Sequence, residues 1–160
     1  MSDLGSTSTP APGWEPQQPA APAYAGKGSG PRAGFWRRFA SSLLDGILLG
    51  VVNGVLAVLI DEAVASLISL VIGIAYYAGL EGSRTGQTLG KKVMGIRVID
   101  ANDGGPIGFG RGVIRYFGRI VSAIPLGLGY WWMLWDPEKQ CWHDKFASDY
   151  VVPESAYPIR

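Results

Sequence analysis

Two long apolar stretches constrain this chain more than any other feature of its sequence. Residues 40–60 form a run of 21 residues with one charge, Asp45, and residues 63–80 form a run of 18 with none. About 20 apolar residues in a helix cross the hydrocarbon core of a bilayer. A buried helix pair in a soluble protein would show a polar face, which residues 63–80 lack. The sequence therefore predicts an all-α membrane protein built on a transmembrane helical hairpin, with Asp61 and Glu62 between its spans.

The two ends of the chain differ in composition from the apolar region. Six of the eleven prolines lie within residues 1–31, among Gly, Ala, Ser and Thr. Such a segment buries too little apolar surface to offset the entropy of ordering. We therefore predict a disordered cytoplasmic tail over residues 1–33, a membrane domain over residues 34–153, and a C-terminal tail over residues 154–160.

A basic segment precedes a third apolar segment. Arg111, Arg115 and Arg119 are spaced by four residues, which places them on one face of a helix. The spacing predicts an interfacial helix over residues 109–119 whose arginines, with Lys91 and Lys92, contact anionic lipid headgroups. A lipid bilayer with anionic headgroups is thus an expected partner.

The third apolar segment, residues 120–136, is interrupted by Pro125, Gly127 and Gly129. It either spans once or enters the bilayer and returns. Residues 93–100 are β-branched and alternating, which is typical of a short strand, and residues 150–152 are a possible partner strand. This pairing would give a small cytoplasmic β element and would require the third segment to re-enter.

Basic residues at the ends of the spans predict their orientation. They precede the first span and follow the second, whereas the link between the spans is acidic. Cytoplasmic loops carry an excess of Lys and Arg. We therefore predict a multi-pass protein of the cell membrane with a cytoplasmic N-terminus. The basic residues concerned are Arg32, Arg37, Arg38, Arg84, Lys91, Lys92 and Arg97.

Small residues recur every four positions in both spans. Helices in a bilayer associate through small residues that allow their backbones to approach closely. We therefore expect the two spans to pack on each other through these stripes, although a homodimer contact is the alternative. The residues are Gly46, Gly50 and Gly54 in the first span and Ser69 and Gly73 in the second.

Asp45 is the one acid inside a predicted span. A carboxylate within a span needs a partner, a proton or a water-filled cavity. Arg38, seven residues earlier, lies on nearly the same helix face, and Asn53 adds a polar group on a neighbouring face. The sequence leaves two interpretations open, an ion or proton site and a polar contact that fixes helix rotation.

Three motifs in order resemble the RDD family of bacterial membrane proteins. They are GFWRRFASSLLDGILLG, GQTLGKKVMGIRVIDANDGG and WDPEKQCWHDKFASDYVV, and the resemblance covers about residues 34–153. It implies functional roles for Arg38, Asp45 and Asp144, with Arg37 as an alternative arginine and His143 beside Asp144 as a supporting residue. Asp149 departs from the family, which often has Thr there. The resemblance suggests transport of an unidentified ligand.

Local charge also gives Asp144 a predicted role. Arg38 and the three arginines of residues 109–119 need a nearby acid, so we predict that Asp144 pairs with one of them and that Asp149 contributes little. We expect a small ion- or solute-handling protein that is a homo-oligomer or part of a larger membrane complex. A non-transporting accessory or scaffold subunit is the alternative. The net charge of +1 excludes a global field for nucleic acid. We expect no enzymatic activity, no cofactor and no metal site.

Overall fold

Two long apolar helices dominate the computed structural model, which describes residues 30–157. Helix α1 spans Phe35–Leu59 and helix α2 spans Glu62–Glu81. At 1.5 Å per residue their lengths are about 37 Å and 30 Å, enough to cross a bilayer. The Asp61 side chain caps α2 by accepting a hydrogen bond from Ala63 N at 2.9 Å. The prediction of a mostly helical chain with two long apolar helices is confirmed.

The remaining elements are shorter than these two helices, and α4 packs on α2. Helix α4 contains the helix predicted for residues 109–119 and continues to Ala123. The structure also has 3-10 turns at Trp132–Leu134 and Glu154–Ala156. The elements are α3 (Leu89–Val93), β1 (Ile96–Asp100), α4 (Gly108–Ala123), α5 (Leu128–Trp131), α6 (Trp142–Ala147) and β2 (Asp149–Pro153).

The two strands pair as an antiparallel sheet, with Ile96 opposite Pro153 and Asp100 opposite Asp149. This confirms the strand pairing predicted from residues 93–100 and 150–152. The apolar side chains of β1 are buried, and Val98 packs in one cluster with Val151. The sheet therefore fixes the position of the C-terminal segment next to the chain that leaves α2.

The third apolar segment forms no helix long enough to cross a bilayer. Helix α4 ends at Ala123, and α5 is only four residues long. Between them Leu126 and Gly127 adopt positive φ angles of 53° and 75°. Pro125 has no N–H for an intrahelical hydrogen bond. The single-span alternative for residues 120–136 is therefore wrong.

The glycine stripes do not join the two long helices, so the predicted packing is wrong. A Cβ atom added at Gly46, Gly50 or Gly54 would meet nothing within 4 Å. At Gly73 an added Cβ would lie 2.6 Å from Tyr116 Oη, because α2 packs on α4. Equal spacing identifies a stripe, but the tertiary fold decides which neighbour covers it. Ser69, in the same helix as Gly73, is partly exposed.

Residues at the inner ends of both predicted tails are packed against the folded domain, although their composition predicts otherwise. Ala33 is buried, and its N–H donates to Val151 O at 2.8 Å. Arg32 pairs with Glu138 at 2.6 Å. At the other end Tyr157 is buried against the sheet. The prediction of disorder for residues 1–29 lies outside the described residues, as do residues 158–160.

Candidate functional site

A buried ion pair joins the first long helix to the C-terminal segment. Arg38 lies one turn into α1, on the buried face that also carries Ser41 and Asp45. Its Nη2 donates to Asp144 Oδ2 at 2.5 Å, and its Nη1 donates to Lys139 O at 3.1 Å. Asp144 is fully buried and also accepts from Cys141 N at 2.8 Å at the start of α6. The prediction that Asp144 pairs with an arginine is confirmed.

Arg115 extends this pair into a network. It lies on α4, is 1% exposed, and contacts three carboxylates. Its Nη1 lies 2.5 Å from Asp144 Oδ1 and also donates to Asp149 Oδ1, while its Nε lies 2.9 Å from Glu81 Oε2. One guanidinium group therefore holds together α2, α4, α6 and the start of β2.

Glu81, the last residue of α2, gathers three basic side chains. Its Oε1 accepts from Lys91 Nζ at 2.6 Å and from Arg119 Nη2, in addition to the Arg115 contact. The guanidinium of Arg119 also lies over the ring of Tyr77, with Cζ 4.1 Å from the ring centroid. Glu81 is fully buried. Buried charges require such compensation, because an unpaired charge in a protein interior is very costly.

Asp144 and Asp149 share Arg115, and their pKa values diverge as a result. Burial raises the pKa of each carboxyl group, and nearby arginines oppose this effect. At Asp144 the charges of Arg115 and Arg38 outweigh burial, so its pKa falls below the ordinary value of 3.8. At Asp149 burial dominates over Arg115, and the charge of Asp144 adds to it, so the pKa rises to about 7. Two like charges on one partner commonly separate in this way.

Asp45 lies in a different hydrogen-bonded group. Its carboxylate accepts from Thr88 Oγ1 at 2.6 Å, from Gly90 N at 2.7 Å and from Tyr76 Oη at 2.6 Å. A Cβ added at Gly90 would collide with the carbonyl oxygen of Ser41 and would lie 2.8 Å from Asp45 Oδ1. Asp45 therefore holds the segment after α2 against α1, and the structure brings Arg38 together with Asp144 rather than with Asp45.

The supporting residues predicted from sequence have different positions. His143 is buried beside the network, with Nε2 3.3 Å from Asp144 Oδ1, and burial lowers its pKa well below 6.5, so its ring is neutral. Arg37 and Asn53 are exposed and make no hydrogen bond or ion pair with the network. They are therefore separate from the Arg38–Asp144 pair.

The basic row predicted to face lipid headgroups faces carboxylates instead. Lys91 and Arg115 are buried in the ion pairs described above, and Arg119 contacts Glu81. Arg111 pairs with Asp100 and donates to Ala147 O at 2.7 Å. The spacing of four correctly places the α4 arginines on one helix face but does not say what that face contacts. Lys92, by contrast, is exposed.

Sequence reasoning missed Glu81 as a member of this network and predicted a minor role for Asp149. Glu81 follows directly on an uncharged run of 18 residues. An acid at that position, followed by a segment rich in basic residues, is the signal that could have identified it. No local pattern distinguishes Asp149 from a surface acid, since its burial depends on the pairing of β2 with β1.

A cavity of about 250 Å³ adjoins the network. Its basic lining consists of Arg38, Lys91, Arg115 and Arg119, whereas none of the described Asp or Glu residues lines it. Aromatic residues from α1 and from the segment after α4 form the other walls. Phe35 and Trp131 stack there with ring centroids 5.4 Å apart. The remaining lining residues are Phe39, Ser41, Ser42, Gly127, Tyr130, Met133, Cys141 and His143.

Three potential metal ligands also lie together at this point. Single ligand atoms of Cys141, His143 and Asp144 lie within 4.8 Å of one another. Asp144 is already bound to two guanidinium groups, and Cys141 Sγ accepts from Arg38 Nη2 at 3.3 Å. Positive charge on this side disfavours a divalent cation, so these residues do not fit a metal site.

Comparison with known proteins identifies the family of this chain. The family model described as the RDD family matches residues 32–148, which include the two long helices and the residues of the network other than Asp149. The chain belongs to the RDD family. The match begins at Arg32, in the segment before α1, and ends just before β2.

Several bacterial proteins are similar to this RDD chain. The uncharacterized protein YxaI of Bacillus subtilis (strain 168) is 31% identical over 147 residues, which cover 75% of this chain and 96% of the relative. The uncharacterized membrane protein YteJ of the same organism is 29% identical over 144 residues, covering 78% and 83%. The proline-rich antigen of Mycobacterium leprae (strain TN) is 36% identical over 75 residues, covering 47% and 30%. No solved structure matches the chain. The family and the two apolar helices together support membrane-protein character.

Proposed function

We propose that this RDD protein moves a small anionic solute across the cell membrane and that the cavity beside the ionic network binds the solute. The observation that carries the proposal is the asymmetry of charge at the cavity: four basic side chains line it, and their carboxylate partners lie behind them. Ionisable groups at a membrane site are functional candidates by default, because their burial is costly.

The same proposal includes a multi-pass topology with a cytoplasmic N-terminus. The network joins the first turn of α1 to the last residue of α2, so both helix ends lie at one level. Basic residues are concentrated at that level, which supports a cytoplasmic position. Cysteine labelling provides a test, since Cys141 is buried and burial raises the pKa of its thiol to about 11. Ala63→Cys should react from outside intact cells and Lys92→Cys should not; the opposite pattern would contradict the orientation.

The proposal requires more than one chain, because the two long helices enclose no pathway. In the most apolar stretch of each long helix, the described part of the chain buries only 6% of the residues in α1 and 17% of those in α2. Their exposed faces are free to contact lipid, a second copy or another subunit. An assembly that builds the pathway from several chains therefore fits these faces, as a homo-oligomer or as a larger membrane complex.

An accessory subunit is the second candidate function. Three tryptophans after α4 are exposed, Trp131 by 47%, Trp132 by 44% and Trp135 by 71%. Aromatic residues are enriched at protein interfaces and at membrane surfaces, so this cluster fits a larger partner. A non-transporting protein would use it for docking and would show no activity of its own.

Uptake by reconstituted protein separates the two candidates. We expect liposomes containing the full chain to accumulate radiolabelled inorganic phosphate or n-butyl phosphate faster than protein-free liposomes. Arg38→Gln should abolish the uptake, because it removes a cation of the cavity, and Arg37→Gln should preserve it as the matched exposed control. Gel filtration must show that both variants remain folded. No uptake above protein-free liposomes would contradict transport and favour the accessory role.

A further inference from the structure

We infer that the ligand of the cavity is a phosphate-bearing amphiphile, a phosphate group attached to a short apolar body. The inference rests on the proposed function, because it names the class of ligand for the same cavity. Three features of the cavity carry it: the positions of the cations, their unused donors, and the aromatic residues that also line the cavity.

The four cations of the cavity are held in place from behind. Glu81 contacts Lys91, Arg115 and Arg119, and Asp144 contacts Arg38 and Arg115. These two carboxylates are fully buried and do not line the cavity. The cations are thus preorganised by the protein, and none of the described carboxylates lines the cavity with them, which is an arrangement suited to an anion.

The charge of the network leaves room for an anion. Four cations face three carboxylates, Glu81, Asp144 and Asp149, and Asp149 has a pKa of about 7. Asp45 is a further acid, but it bonds to neutral donors and does not line the cavity. His143 lines the cavity as a neutral ring. Within the ion pairs themselves, the four cations therefore outnumber their three carboxylate partners by one.

Donors of these cations remain without acceptors. Arg119 Nη1 is buried and has no hydrogen-bond partner among the described residues. Within residues 30–157, Lys91 Nζ donates one hydrogen bond, to Glu81, although an ammonium group carries three donors. Unpaired buried donors cost free energy, and an oxyanion bound directly against Arg119 and Lys91 would satisfy them.

Phosphate fits this set of donors better than a carboxylate. A guanidinium fork matches either group, but one arginine alone satisfies both oxygens of a carboxylate. A phosphate monoester has three acceptor oxygens and a charge of about −1.5 to −2 near neutral pH. Three guanidinium groups and one ammonium group line this small cavity, and several of them can bind one phosphate together.

The aromatic lining of the cavity accounts for the apolar body. Phe35, Phe39 and Trp131 border it, and Phe39 and Trp131 are 51% and 47% exposed. The exposed apolar surface continues along α1 at Leu43, which is 52% exposed. A chain attached to the phosphate would therefore leave the cavity over a surface that is mostly apolar.

The size and position of the cavity limit the ligand. Small-molecule sites commonly measure about 300–1,000 Å³, so about 250 Å³ accommodates a phosphate with a short chain or the head of a lipid. The cavity lies at the first turns of α1, the level at which lipid headgroups would lie if α1 spans a bilayer. Two sources share this chemistry, a membrane lipid and a water-soluble alkyl phosphate.

Binding by the purified full chain in detergent tests the inference. Calorimetry should show that n-octyl phosphate binds roughly tenfold or more tightly than inorganic phosphate, because burying two or more CH₂ groups gives that factor. Arg119→Gln should weaken the binding of octyl phosphate roughly tenfold to a hundredfold, because a charge-assisted hydrogen bond is lost. Arg37→Gln removes the same charge from an exposed position that does not line the cavity, and it should change the affinity by roughly less than twofold.

A second variant keeps every ion pair. Ser42 lines the cavity and is exposed. Ser42→Phe should therefore fill the opening of the cavity without disturbing folding, and it should also weaken the binding of octyl phosphate. Ser42→Ala is its control and should bind like the unsubstituted chain. Unchanged affinity in both Ser42→Phe and Arg119→Gln would overturn the inference, because binding would then occur elsewhere.

Two comparisons separate the ligand class from transport and identify the source. Equal binding of inorganic phosphate and octyl phosphate would overturn the amphiphile while leaving an anion transporter intact. Tight octyl phosphate binding without any uptake by liposomes would uphold the ligand class and contradict transport. Competition by phosphatidic acid in nanodiscs, with none by phosphatidylcholine, would identify a lipid source; octyl phosphate binding without this competition would identify a water-soluble one.

Discussion

The two acids that share Arg115 should respond very differently to the same substitution. Asp144→Asn removes a charge that two guanidinium groups contact, from a residue that is fully buried. Breaking a buried ion pair from one side costs about 3–5 kcal/mol. The amide oxygen can still accept from Cys141 N, which preserves the cap of α6. We therefore expect a loss near the lower end, about 3 kcal/mol.

Asp149→Asn should cost much less, although Asp149 is equally buried. Because burial raises its pKa to about 7, this carboxyl group takes up a proton far more readily than a surface acid, and an amide resembles the protonated form. The expected loss is about 1 kcal/mol, that of one hydrogen bond. Asp103→Asn provides the control, since Asp103 is an exposed loop acid and should change the stability by less than about 0.5 kcal/mol.

Thermal unfolding of the purified variants in one detergent measures this difference. For a domain of this size 1 kcal/mol corresponds to a Tm shift of roughly 3–4 °C. Asp144→Asn should therefore lower Tm by roughly 10 °C, and Asp149→Asn by roughly 4 °C or less. Equal losses, or a greater loss for Asp149→Asn, would refute the assignment of the proton to Asp149.

Two further predictions concern pH and packing. Asp149 has a pKa of about 7 in the folded protein and an ordinary pKa of 3.8 in the unfolded chain, so the folded protein binds this proton more tightly. The contribution of this proton to the free energy of unfolding is therefore present at low pH and is lost as pH rises through about 7. His143 has a lowered pKa, so protonation of this residue in the unfolded chain reduces the stability of the fold as pH falls below 6.5. We therefore expect the Tm of the unsubstituted chain to fall from pH 6.5 to 8 and the Tm of Asp149→Asn to change less; parallel curves would contradict this. Gly90→Ala should lower the free energy of unfolding by about 1–3 kcal/mol, because the added Cβ collides with the Ser41 carbonyl. Gly50→Leu should change it by less than about 0.5 kcal/mol, because an added Cβ there meets open space. Equal denaturation midpoints for the two variants would contradict this packing.

The features that the sequence predicts correctly are those with a strong local or compositional cause. Long apolar runs produce α1 and α2 with little dependence on the rest of the chain. Alternation of β-branched residues predicts β1, and the excess of arginine near Asp144 predicts its ion pair with Arg38. In each case one physical requirement, burial of apolar surface or compensation of charge, dominates the outcome.

The features that were missed depend on which elements meet in space. The spacing of the α4 arginines is the same whether they face headgroups or Glu81, and only the packing of α4 against α2 decides this. The α1 glycine stripe fails for a similar reason, since α2 uses Gly73 to pack on Tyr116. The burial of Asp149 follows from a strand pairing between distant segments of the chain.

An experimental structure of the full chain with n-octyl phosphate bound would test most directly whether the cation-lined cavity is the binding site. We expect the phosphate to lie within hydrogen-bonding distance of Arg119 Nη1 and Lys91 Nζ, with the alkyl chain passing between Phe39 and Trp131. Octyl phosphate bound at another surface, with this cavity unchanged and Arg119 Nη1 still without an acceptor, would contradict the proposal.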